Sequence, residues 1–171
     1  MQKITPFLWF NTQAEEAANF YTSIFKNAKT LGVSCNYEAG SEITSVSKGA
    51  PTIVEFELEG QKFSAINGGP QFTFSPAISF TVNCDSQEEV DYYWEKLSEG
   101  GDESAQQCGW LKDKYGLSWQ IVPTVLGQLL SSRDRAQSAR VMQALLQMKK
   151  IDIAGLQKAY DQAPLAPAAS V

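Results

Sequence analysis

The stretch GPQFTFSPAISFTVNCDSQEEVDYYWEKL, residues 69–97, reads as a reworked copy of KITPFLWFNTQAEEAANFYTSIF, residues 3–25. With an offset of 72, Asn11 meets Asn83, Leu8 meets Phe80 and Phe10 meets Val82. Glu16 then meets Glu88, Tyr21 meets Tyr93 and Phe25 meets Leu97. Each copy holds a short alternating segment, a polar turn and apolar residues at helical spacing, which predicts strand, turn and amphipathic helix twice over. The first stripe is Ala17, Tyr21 and Ile24; the second is Val90, Tyr93, Trp94 and Leu97. Thr12 with Glu15, and Asp85 with Glu88, have the spacing of helix-capping pairs.

After the first helix, residues 31–37 and 42–47 are strand candidates about a turn at Gly40. Residues 52–58 alternate, with Val54, Phe56 and Leu58 on one face and Ile53, Glu55 and Glu57 on the other. Residues 62–66 read as their hairpin partner. After residues 70–76, a candidate linker, comes a strand over 77–82, then a helix that Gly100 and Gly101 stop. Strands over 107–111 and 117–122 flank the turn from Asp113 to Gly116. Beyond Pro123 the pattern is helical: Val141, Leu145 and Met148 form a stripe, and Asp152 is an N-cap for a helix over 153–160. The expected fold class is therefore α+β, with two βαβββ modules (1–70 and 71–125) building a curved mixed sheet around a cavity. A C-terminal helical extension (126–161) and a disordered Ala/Pro-rich tail (162–171) complete the expectation.

Composition narrows the function classes. A chain of 171 residues with 43% hydrophobic and 19% charged residues has the profile of a soluble globular protein. Net charge is −5 and the three arginines, Arg133, Arg135 and Arg140, crowd one short segment, so no basic face for nucleic acid is expected. No apolar run is long enough to span a bilayer. There is no signal-peptide pattern, and three cysteines without a CxxC pair suit a reducing cytoplasm.

The segments FLWFNTQAEEAANFYTSIF (7–25), VEFELEGQKFSAINGGPQFTFSPAISFTVNC (54–84), EEVDYYWEKLSEGG (88–101), CGWLKDKYGLSWQIVP (108–123) and VMQALLQMKKIDIAGLQKAY (141–160) resemble one known family. They are similar to the PhnB-like branch of the vicinal oxygen chelate superfamily, often labelled 3-demethylubiquinone-9 3-methyltransferase domains. That superfamily includes glyoxalase I, bleomycin-resistance proteins and extradiol dioxygenases. The resemblance implies a homodimer. It also places the metal-ligand slots of the catalytic members at Thr5, at Ala77, at Gln120 and within residues 64–66. The chain has no histidine, and Thr and Ala are not substitutes for imidazole or carboxylate. The expectation is no metal and no cofactor.

The same slots mark the strand face that looks into the cavity. Thr5, Phe7, Trp9, Ser79, Thr81, Ser118 and Gln120, with Trp110 on the wall, are the expected ligand-binding residues. Aromatics among neutral polar groups suit a small, partly apolar organic molecule, the expected partner. Catalysis stays open: Glu55 and Glu57 are an acid–base candidate pair and Cys108 a candidate nucleophile. Against these stand a solvated face for the glutamates and a bystander thiol. Methyl transfer has only the family label behind it, since none of the 12 glycines forms a GxGxG or GxGxxG turn. The two functional classes are a binding protein without chemistry and an enzyme acting on a small substrate.

Overall fold

The structure, a computed structural model, describes residues 2–35 and 51–162. The candidate strand at 42–47 and the expected tail from residue 163 onward lie outside the described residues. The described chain divides into two compact units. One runs to Ile78 and takes in Tyr115–Leu117; the other holds Ser79–Lys114 and the chain from Ser118 onward.

In the first unit, β1 (Phe7–Phe10) leads into α1 (Ala14–Ile24), then β2 (Ala28–Cys35), β3 (Pro51–Leu58) and β4 (Gln61–Asn67). The sheet order is β1-β4-β3-β2, with β1 parallel to β4 and the other pairs antiparallel. Alternation decides the faces. Leu8, Phe10, Val54, Phe56, Leu58, Phe63 and Ala65 are buried, together with the Ala14, Ala17, Ala18, Tyr21 and Ile24 stripe of α1. Tyr115 joins this core: its ring meets Phe10, Phe20 and Tyr21 edge-on, and its hydroxyl donates to Glu16 at 2.8 Å.

The expected capping pair Thr12–Glu15 does not form. The N-cap is Gln13, without a side-chain cap hydrogen bond, and the buried Asn67 Oδ1 accepts from the Ala14 N–H instead. Register between β2 and β3 slips between Thr30 and Gly32, leaving Leu31 as the extra residue of a β-bulge.

In the second unit, β5 (Phe80–Cys84) precedes α2 (Gln87–Ser98), a short 3₁₀ turn, β6 (Trp110–Lys112) and β7 (Ser118–Pro123). The sheet order is β5-β7-β6, β5 lying parallel to β7. The first strand of each unit thus pairs in parallel with the last, and α1 shifted by 72 residues begins one position before α2. The buried positions correspond as well: Tyr21 with Tyr93, Ala18 with Val90, Phe25 with Leu97.

The strands form two mixed sheets, one of four strands and one of three. Among the described residues the second unit has two strands after its helix, where three were expected. The expected strand at 107–111 starts only at Trp110, because Cys108 (φ 53°) and Gly109 (φ 85°) form a tight turn closed by paired Gln107 and Trp110 backbones. The expected strand at 77–82 starts at Phe80, because Pro76 begins a turn in which the Ile78 N–H donates to the Ser75 carbonyl. The α2 cap lies one residue beyond the expected Asp85–Glu88 pair: Ser86 accepts from the Glu89 N–H, and the Glu89 carboxylate accepts from Asp85.

The C-terminal helices are α3 (Val125–Leu130), α4 (Arg135–Leu145) and α5 (Ile153–Asp161). Asp152 caps α5 as expected, accepting from Ala154 at 3.1 Å. Leu126, Leu129, Val141, Leu145, Ile151 and Leu156 make their common core, with Met148 packed against it. Gln87 ties α5 to α2: its Oε1 accepts from Ile153 and its Nε2 donates to the Ile151 carbonyl.

Candidate functional site

Each unit leaves one sheet face without a helix, and strand register arranges that face in rows. On the four-stranded sheet, Phe7, Ser64 and Glu55 are directly opposite one another across β1, β4 and β3, and Trp9, Ile66 and Ile53 make the next row. Phe7 stays 57% exposed while its neighbours Leu8 and Phe10 are buried. Over residues 64–66, Ser64 shares a row with Phe7 and Ile66 with Trp9.

Trp9 is fixed from three sides. Its indole N–H donates to the Gly69 carbonyl at 2.9 Å and its ring meets Phe72 edge-on at 5.0 Å. A Cβ on Gly68 would lie 2.2 Å from the indole ring, so only glycine permits this approach. This clamp has no local sequence pattern beyond the Gly-Gly pair.

Thr5 precedes β1 in the same unit, where Gln2 anchors the segment. Gln2 Nε2 donates to the carbonyls of Lys62 and Ile4, and Gln2 Oε1 accepts from the Lys62 N–H at 3.0 Å. Thr5, Ser64, Glu55, Leu31, Lys62 and Phe63 surround a cavity of about 160 Å³. Sequence reasoning missed Lys62 and Leu31. The bulge that turns Leu31 out of register becomes visible only once β2 is paired with β3.

On the three-stranded sheet, Thr81, Gln120 and Trp110 form one row across β5, β7 and β6. Ser79 lies just before β5 and accepts a 2.8 Å hydrogen bond from Gln120 Nε2. Ser118 is buried at the start of β7, opposite Lys112. Trp119, one position out of phase, is core, and its indole donates to the buried Asp113 carboxylate at 2.9 Å.

The catalytic candidates separate. Glu57 is held by Lys29 at 3.7 Å. Glu55 faces the cavity beside Ser64. Cys108 packs against the apolar core of the C-terminal helices, away from both glutamates in sequence and in unit. Cys84 is fully buried. Its thiol is pushed up to about 12, chiefly by burial and further by the negative charges of Glu89 and Asp85.

A second cavity, about 490 Å³, lies where α2 and α5 begin. Side-chain acceptors around it are engaged: Ser86 accepts from the Glu89 N–H, Asp152 from the Ala154 N–H and Gln87 from the Ile153 N–H.

At the metal-ligand slots that the resemblance implies, the residues present carry no imidazole or carboxylate to fit a divalent ion. Thr5 and Ser64 offer hydroxyls, Gln120 offers an amide whose nitrogen is already bonded to Ser79, and Ala77 sits in an exposed turn with no donor side chain. Among the described residues, no three of His, Cys, Asp or Glu converge on one point.

A strand–helix–strand unit whose first strand pairs in parallel with its last, built twice in one chain, defines an α+β protein of the glyoxalase and bleomycin-resistance type. Solved structures agree on the fold. A PhnB protein from Bacillus cereus aligns at 38% identity and a TM-score of 0.61, covering 72% of this chain and all of that one. PA1353 from Pseudomonas aeruginosa aligns at 18% identity and TM-score 0.55 (72% and 98% covered). The fosfomycin resistance protein FosX from Listeria monocytogenes aligns at 19% identity and TM-score 0.51 (77% and 98%). The family model of 3-demethylubiquinone-9 3-methyltransferase matches residues 2–122. The chain belongs to that family and is PhnB-like. No protein of curated function matches it. Among the described residues, no helix is long and apolar enough to cross a membrane.

Proposed function

We propose that this chain is a PhnB-like binding protein that holds a small organic ligand through the helix-free sheet faces of its units, without the metal centre of the catalytic members. The carrying observation is the chemistry of those faces. Thr5, Ala77 and Gln120 fall where the resemblance implies metal ligands and offer a hydroxyl, no donor and an amide, and on the faces themselves Phe7 lies opposite Ser64 and Thr81 opposite Gln120. Thr5, Phe7 and Trp9 on one sheet, and Ser79, Thr81, Trp110, Ser118 and Gln120 on the other, are the proposed ligand-binding residues. Residues 1–70 and 71–125 are the proposed modules. The native mass spectrum of protein purified from cells tests the reading: an organic mass beyond the 18.8 kDa chain is expected, and a bare chain under gentle ionisation counts against it.

The second reading is an enzyme, favoured by Glu55 and Glu57 sharing one face of β3. The Lys29 partner of Glu57 supports a structural role for that carboxylate. Replacing Glu57, which does not line the cavity, by glutamine discriminates: a binding protein keeps its ligand, whereas acid–base catalysis by the pair is lost. Methyl transfer is supported only by the family's description. A homodimer follows from the resemblance, and sedimentation tests it. The cytoplasm is the proposed location, in keeping with the free thiols of Cys84 and Cys108.

A further inference from the structure

The cavity beside β4 has a charge pattern that the family resemblance does not assign. Two oppositely charged side chains line it, Glu55 and Lys62, and among the described residues neither makes an ion pair. They stand diagonally on adjacent strands, Glu55 opposite Ser64 and Lys62 opposite Glu57. Diagonal neighbours of this kind are about 7–8 Å apart. The in-register partner of Lys62 is Glu57, and Glu57 is engaged by Lys29 at 3.7 Å. Thr5 and Ser64 line the same cavity with their hydroxyls.

The walls are held by distant parts of the unit. The Gln2 side chain bonds both backbone groups of Lys62, which sets Thr5 and the strand segment on either side of the cavity. The bulge turns Leu31 out of the β2 ladder onto the rim, adding one apolar contact. A lone ammonium or a lone carboxylate would leave one of the two charges without a partner.

We infer that this cavity binds a small zwitterion of the amino-acid class, its ammonium against Glu55, its acid group against Lys62 and its side chain toward Leu31. A volume of about 160 Å³ suits a molecule of that size. This deepens the proposed ligand-binding function and rests on it.

The test is an amide-resolved NMR titration of the full chain with L-alanine, using ethylamine and propionate as its singly charged halves. Alanine is expected to shift the Glu55, Lys62 and Ser64 amides and to saturate, with both halves at least about tenfold weaker. Glu55→Gln and Lys62→Met, substitutions at exposed positions, are each expected to weaken alanine binding roughly tenfold, and added salt to weaken it further. Absence of saturable shifts, equal binding of either half, or indifference to both substitutions overturns the inference. A co-purified ligand that survives both substitutions overturns it too, yet leaves the wider binding function standing. A bare chain in the native spectrum, with alanine still saturating the cavity, does the opposite.

Discussion

Asn67 caps a helix that begins 53 residues earlier: its Oδ1 accepts the Ala14 backbone N–H at 2.8 Å, in a site closed to water. The residue ends β4, so one hydrogen bond joins the last strand of the unit to the start of α1. Asn67→Ala leaves the first-turn N–H without its acceptor and is expected to cost about 1–2 kcal/mol. Urea titration followed by circular dichroism reads the change in midpoint. A shift equivalent to only a few tenths would mean that water or Gln13 takes over the cap.

Gly68 carries the Trp9 indole against its backbone. Gly68→Ala places a methyl inside the ring's van der Waals envelope, expelling the indole from its bond to Gly69 at an expected cost of about 1–3 kcal/mol. Trp9 fluorescence, isolated by replacing the other tryptophans with phenylalanine, is expected to shift to the red. An unchanged spectrum would contradict this geometry.

Cys84 gives a pH signature. Its thiol ionises near 9.0 in the unfolded chain and about 12 in the native fold, so the native state holds its proton more tightly. The corresponding stability is fully present below pH 9 and is lost as pH rises from about 9 through about 12. Denaturant midpoints from pH 8 to 11 should fall, and less steeply for Cys84→Ala. At pH 8 the native thiol is expected to resist a disulfide reagent that labels the unfolded chain at once. Rapid native labelling of Cys84 would show that the site opens.

For metal, elemental analysis of purified protein is expected to find no stoichiometric zinc, nickel or iron, and chelators should leave the melting temperature unchanged. Thr5, Ser64 and Gln120 each offer only a neutral oxygen, a weak ligand for a divalent ion compared with imidazole or carboxylate. Close to one such ion per chain, lost on chelation along with thermal stability, would refute the assignment of the slots.

The internal copy was legible in residues 3–25 and 69–97 because helix and strand periodicity is local. A buried stripe at every third or fourth residue does not depend on what it packs against, so Tyr21 and Tyr93 occupy matching core positions. The same logic separated Leu8 and Phe10 from Phe7. The candidate site was less legible: Phe7, Trp9 and Thr81 could be placed on a face, but Lys62 and Leu31 carry no signal until strands are paired.

Length, charge, the duplicated strand–helix pattern and the lack of histidine were thus determined by the sequence alone, since each is a property of residues or of short windows. Tertiary structure decided what depends on partners far along the chain. Asn67 rather than Thr12 supplies the α1 cap because β4 ends beside that helix. Leu31 leaves the ladder because β2 and β3 slip by one residue. Ser64 sits between Phe7 and Glu55 because β4 is central, parallel to one neighbour and antiparallel to the other. Register and hydrogen-bond closure are set by which segments meet, and no short window of sequence contains both sides of that pairing.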